Sequence, residues 1–156
     1  MGGFIMKEWE RYEATARAIL KQLHEHFSLG DVQEKQVVRG ASGTEWEIDL
    51  VGRSDPCDRL VVIECRLTKG RQSQSKIGAL AFTIQDTGAE SGIIVTPNPL
   101  QKGAVLVASH SAIVHFQLDS KSTANDFLVQ ALEKLFLGIP SVGDTSQFGV
   151  PGIRRG

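Results

Sequence analysis

An α/β domain, with a mixed β-sheet flanked by helices, is the fold class that this sequence predicts. Three observations predict it. One long stretch near the start has apolar residues at helical spacing. A strictly alternating segment then precedes one that is apolar on both faces. From there, helical and strand-like segments take turns. The 156 residues suffice for one domain with a proper core, and 41% apolar with 22% charged residues is ordinary for a globular chain.

Taken in order, Trp9, Tyr12, Ala16, Ile19, Leu20, Leu23 and Phe27 form the stripe of an amphipathic first helix, with Gly30 placed to end it. Val32 to Val38 is a weak strand, and Gly40 to Gly43 is turn-rich. From Glu45 to Leu50 the chain alternates, with Glu45, Glu47 and Asp49 on one face and Trp46, Ile48 and Leu50 on the other. Ser54 to Asp58 is a turn by composition. Leu60 to Glu64 is apolar on both faces until its last residue, which reads as a central strand. A helix from Ser73 to Thr87 is closed by Gly88, and Gly92 to Thr96 is a short buried strand stopped by Pro97 and Pro99. Gln101 to His110 reads as a helix and Ala112 to Leu118 as a strand. Thr123 to Asp126 resembles a capping box for a last helix carrying Phe127, Leu128, Ala131, Leu132, Leu135 and Phe136. The domain is expected over residues 7–137, with 138–156 as a Gly/Pro-rich tail. Trp9 and Trp46 are expected in the core between the first helix and the sheet.

Composition narrows the class. No apolar run approaches the ~20 residues of a membrane span, and the first residues lack a basic segment leading into an apolar stretch. The expectation is therefore a cytoplasmic protein. Cys57 and Cys65 make neither a disulfide framework nor a zinc site, and both are expected reduced. The four histidines are scattered, and His24 and His26 lie two apart, unable to chelate from a helix. The net charge of -1 gives no global argument for nucleic acid. Locally, no acidic residue falls between Glu64 and Asp86, while Arg66, Lys69, Arg71 and Lys76 all do. Such a segment can hold a phosphate backbone, or be a solvated polar loop. Lys102, at a helix start, can meet a phosphate in the same way.

The sharpest feature is a pair of carboxylates. If the second and third strands form a hairpin around Pro56 and Cys57, one register sets Val51 opposite Val62, Asp49 opposite Glu64 and Glu47 opposite Arg66. Opposed side chains share a face with Cβ atoms ~4.5–5.5 Å apart, and a one-residue slip would bury the acids of the second strand. Like charges so close do not both stay ionised easily. A divalent cation between them removes the difficulty, and hard oxygen ligands suit Mg²⁺ (or Mn²⁺) beside a substrate phosphate. The competing account is plain cross-strand pairing, with Glu47 tied to Arg66 on a solvated face.

Glu45 to Asp49, followed by Val61-Val-Ile-Glu-Cys-Arg66, resembles the PD-(D/E)xK nuclease motif, an Asp on one strand and Glu-x-Lys on the next. Tyr12 and Glu13 are similar to the aromatic–Glu pair in the first helix of Mrr-like restriction endonucleases. Thr87-Gly-Ala, Gly92 to Pro97 and Gln101 to Ala104 resemble that branch's next strand and helix, so the likeness covers roughly residues 8 to 118. The motif is short, and the order of matching segments weighs more than any one of them. The resemblance implies a restriction-endonuclease-like three-layer fold, a central mixed β-sheet flanked by helices. It implies a metal-dependent endonuclease acting on DNA in defence, repair or recombination, with two copies pairing to cut two strands and no organic cofactor or membrane partner. Asp49 and Glu64 would be metal ligands with the Cys65 carbonyl as a third, and Glu13 would reach the metal through water. Arg66 departs from the family's Lys, which orients or deprotonates the attacking water. Arginine, with a pKa above about 12, can supply charge but is a poor base. Either Lys69 supplies the amine, or the domain has lost catalysis and only binds nucleic acid or a protein partner.

Overall fold

The computed structural model describes residues 7–22, 24–27, 29–55, 57–119, 121, 125–126 and 129–130. Helix α1 spans Glu8–Gln22, and a 3₁₀ turn follows at His24–Phe27. Strands β1 (Leu29–Arg39), β2 (Glu45–Ser54) and β3 (Leu60–Cys65) come next. They are followed by α2 (Gln74–Thr87), β4 (Ser91–Thr96), α3 (Lys102–His110) and β5 (Ile113–Gln117). The five strands form one sheet in sequence order. β1, β2 and β3 pair antiparallel, and β3, β4 and β5 pair parallel. The predicted mixed sheet is thus present, with the predicted order of elements from α1 to β5.

Two cores make three layers. On one face Tyr12, Ala16, Ile19 and Leu20 of α1 pack with Leu50, Ile63, Val95, Phe116 and Leu118. On the other, Ile77, Leu80 and Ile84 of α2 and Ala104 and Ala108 of α3 pack with Ile48, Val51, Val62 and Ile94. Central β3 and β4 contribute to both, which is why their sequences are continuously apolar. Ser73 caps α2 by accepting from the Lys76 N–H, and Gly88 closes it in the left-handed region at φ 72°.

The structure departs from the sequence reading at several points. α1 stops at Gln22, and Gly30 lies inside β1, not at a helix end. The His24 ring Nδ1 lies 2.7 Å from the Leu29 carbonyl, a local bond between the 3₁₀ turn and the first residue of β1. His24 and His26 accordingly sit in the 3₁₀ turn. β1 begins at Leu29 and runs eleven residues, although Leu29 and Val32 are its buried apolar positions. An edge strand exposed along most of its length needs little apolar sequence, so its signal is faint.

Both tryptophans lie elsewhere than expected. Trp9 is 46% exposed. Trp46 packs on α2, edge-to-face with Phe82, and its Nε1–H donates to Asp86 at 2.8 Å. Asp86 also accepts from the backbone N–H and hydroxyl of Ser42, while its own carbonyl accepts from Ala41. These bonds hold its carboxyl below the ordinary range. They fasten the β1–β2 turn to the end of α2, and a Cβ on Gly40 would meet the Asp86 carboxylate. Most of the expected last helix, with its capping Thr123, and the expected tail at 138–156 lie outside the described residues.

α1 carries Glu13 and is held by its buried stripe. Leu20 is fully buried, so Leu20→Ala should cost about 2–5 kcal/mol of unfolding free energy. The urea midpoint should fall with an unchanged slope; a loss below about 1 kcal/mol would mean that α1 is not seated as described.

Candidate active site

The site begins where the sheet's regularity fails. β2 and β3 pair from Arg53↔Leu60 to Leu50↔Ile63, with Val51 opposite Val62 as the sequence predicts. The ladder stops there. Asp49 and Glu64 are therefore not a ladder pair, and Glu47 does not face Arg66, correcting the cross-strand reading. Instead the Cys65 N–H donates to Asp49 Oδ2 at 2.9 Å, so a side chain takes the bond that β2's backbone would have taken. The Arg66 N–H turns the other way, to Val95 of β4.

The alternation of β2 breaks at the same place. Ile48 packs with the α2/α3 core and Leu50 with the α1 core, although residues two apart on a regular strand share a face. The expected apolar face of Trp46, Ile48 and Leu50 is thus divided. Asp49 stands at the changeover, half-buried, with Glu13 of α1 near it.

Glu64 is the penultimate residue of β3, half-buried, and its carboxyl lies within hydrogen-bonding reach of that of Asp49. The two acids therefore do converge, through the splay of the strands. Burial first, then the charge of Asp49, raises the Glu64 pKa to about 8; the Arg66 guanidinium opposes this, while the hydrogen bond and Glu13 add to it. Burial and Asp49 also raise Glu13, against Lys35 and Arg17. Burial, with the neighbouring carboxylates, pushes the Cys65 thiol well up, so it is no nucleophile at neutral pH. Tyr12, also raised by burial, donates its hydroxyl to the Leu118 carbonyl.

Among the described residues no group of three or more His, Cys, Asp or Glu side chains is disposed to hold a metal ion. The donor set is smaller: two carboxylates and a backbone oxygen. In extended backbone a residue's C=O points the same way as its N–H. The Cys65 carbonyl therefore faces the gap into which its N–H reaches Asp49. Two carboxylates and a carbonyl fit a hard cation such as Mg²⁺, which keeps several waters.

The topology gathers the predicted basic residues. β3, β4 and β5 run parallel, so the loops after β3 and β4, and the helix starts they lead into, lie at one end of the sheet. Arg66 is half-buried, while Lys69 and Arg71 are exposed in the loop after β3. Lys76 lies in the first turn of α2 and Lys102 opens α3, both exposed. Asn98 donates to the Thr68 carbonyl, the Gln101 N–H donates to the Gln72 carbonyl, and Gln72 bridges to Leu100, so the two loops are stitched together. At this same end a cleft of about 530 Å³ opens, lined among the described residues by Tyr12, Arg11, Thr15, Leu67, Pro97, Asp119 and Glu8. Sequence reasoning missed the cleft, and also Lys35; a register for β1 would have set Lys35 beside Asp49.

A three-layer α/β sheet with converging carboxylates at the splay of two strands defines a restriction-endonuclease-like domain. The family model described as "Restriction endonuclease", of the Mrr catalytic type, matches residues 6–119. The chain belongs to that family. No curated protein matches it. Among solved structures it is similar to the protein of unknown function AF1548, at 18% identity and TM-score 0.57, covering 75% of this chain and 65% of that one. It is also similar to protein VC1899 from Vibrio cholerae, at 15% identity and TM-score 0.56, covering 83% of this chain and 35% of that one. A third likeness is to the DNA modification-dependent restriction endonuclease AspBHI, at 20% identity and TM-score 0.47, covering 80% and 31%. This chain thus spans less than two-thirds of AF1548 and about a third of VC1899. No helix among the described residues is long and apolar enough to cross a membrane.

The raised Glu64 pKa has a consequence for stability. An unfolded Glu titrates near about 4.3, so the metal-free folded state binds a proton more tightly than the unfolded one. Its stability should fall as pH rises from about 5 through about 8. Glu64→Gln removes this loss. In EDTA, the variant should melt several degrees above the native protein at pH 8.5 and level with it at pH 5; equal melting points at both would contradict the burial of Glu64 beside Asp49.

Proposed function

We propose that the domain hydrolyses phosphodiester bonds of DNA with a divalent metal, Mg²⁺ or Mn²⁺, held by Asp49, Glu64 and the Cys65 carbonyl. The observation that carries this reading is the converging Asp49–Glu64 pair at the splay of β2 and β3. Two half-buried carboxylates converging on one gap, with the Cys65 carbonyl, offer hard oxygen donors to a single cation, and the stitched basic loops lie at the same end of the sheet. When bound, such an ion supplies Lewis-acid stabilisation at the scissile phosphate and lowers the pKa of a water.

The chain's own residues do the rest. Glu13 accepts a hydrogen bond from the attacking water. Arg66 neutralises charge on the phosphate as the new P–O bond forms and the bridging P–O bond breaks; the attacking water releases a proton to solvent, and the departing alkoxide takes one from it. Lys69, Arg71, Lys76 and Lys102 hold the backbone on either side. Defence, repair or recombination, with two copies cutting the two strands of a duplex, is the setting this chemistry serves.

Plasmid and single-stranded DNA should be cut in Mg²⁺ or Mn²⁺ and spared in EDTA. Asp49→Ala and Glu64→Ala should each lose at least about 100-fold, since even residues that only support metal ligands are worth 10–100-fold. Cleavage that survives Glu64→Ala or chelation sinks the proposal.

One observation favours a second reading. The cation after Cys65 is an arginine, which does not act as a base. A domain that binds without cutting would show metal-independent affinity falling steeply with salt. Each of Lys69→Ala, Arg71→Ala and Lys76→Ala should then reduce the slope of log affinity against log salt by about 1. That salt response without cleavage would select binding alone.

A further inference from the structure

The β1–β2 register sets Glu34 opposite Leu50 and Gln36 opposite Ile48, so Lys35 stands beside Asp49. Opposed residues on neighbouring strands send their side chains to one face. The charges acting on Glu13 are Asp49, Lys35, Arg17 and Glu10, and Lys35 is the larger of the two that hold its carboxyl down. Lys35 Nζ also lies 5.7 Å from the centroid of Trp9, one turn before Glu13 on α1. Arg17 is engaged with Glu34 at 3.3 Å. The exposed Lys35 ammonium therefore stands by an indole and within electrostatic reach of the Glu13 carboxylate, on the strand beside Asp49. In sheet order Asp49 lies between Lys35 on β1 and Arg66 after β3.

We propose that Lys35 is the second cation of the site, facing Glu13 and Asp49 from the β1 side, opposite Arg66, and holding the Glu13 carboxylate turned toward Asp49. It is a positioning residue, and the proposal rests on the reading of Asp49 and Glu64 as metal ligands. Trp9, half-exposed where a core position was expected, is the surface against which the ammonium rests. A cation so placed has two effects. It offsets the repulsion among three acids, and it weakens the hold of the same acids on a metal ion.

The test is a calorimetric titration of the metal-free full chain with Mn²⁺. Lys35→Met removes a like charge beside the ligands and should tighten Mn²⁺ roughly three- to tenfold. Lys35→Arg keeps the charge and should match the native protein, as should Lys21→Met at the far end of α1. In cleavage assays, Lys35→Met should lower kcat tenfold or more with KM little changed, as expected when Glu13 loses its orientation. Overturning results are Mn²⁺ affinity unchanged in Lys35→Met, an equal gain in Lys21→Met, Mn²⁺ bound by neither native nor variant protein, or a native kcat in Lys35→Met. If the native chain binds Mn²⁺ but cuts no DNA, the nuclease reading fails, and the Mn²⁺ shift alone decides the role of Lys35.

Discussion

The hydrogen bond from the Cys65 amide to the Asp49 carboxylate is the constraint on which the site depends. A side chain replaces a backbone partner, so β2 and β3 part without leaving that N–H unsatisfied. Parting opens the gap in which Glu64 meets Asp49 and toward which the Cys65 carbonyl points. It also lets β2 change the face it buries, from Ile48 against α2 and α3 to Leu50 against α1. A fully regular hairpin would have kept the ladder and left no such gap.

The second organising feature is the change of strand direction across the sheet. β1 to β3 are antiparallel and need only turns, whereas β3 to β5 are parallel and need helical crossovers. Crossovers return each chain to the far end, so every loop that leaves a parallel strand emerges at the same end. Basic residues that are spread over residues 66–102 in sequence thereby share the end of the sheet at which β3 brings Glu64.

Much of this was legible in the sequence, because the central strands and crossover helices announce themselves by burial on both faces, by Ser73 and by Gly88. The Val51–Val62 register followed from a hairpin closed around Pro56 and Cys57, together with the alternation of the second strand. What stayed hidden has physical reasons. β1 is an exposed edge with little apolar content, so its register, and with it the place of Lys35, carried almost no signal. The end of α1 at Gln22 is followed by a 3₁₀ turn whose His24 bonds to Leu29, a contact that periodicity does not encode. Trp46 was assigned to the wrong layer because its partner, Asp86, lies forty residues away. The proximity of Asp49 and Glu64 was foreseen, but through ladder pairing; a carboxylate capping an amide across a splayed pair has no sequence pattern of its own.

The end of β5 shows a different use of the same device. The Gln130 side-chain amide donates to the Gln117 carbonyl at 2.7 Å and accepts from the Gln117 N–H at 2.9 Å. It presents to the strand the donor and acceptor that a sixth strand would offer. At Gln117, the last residue of β5, a side chain thus does for the strand what a neighbouring backbone would do.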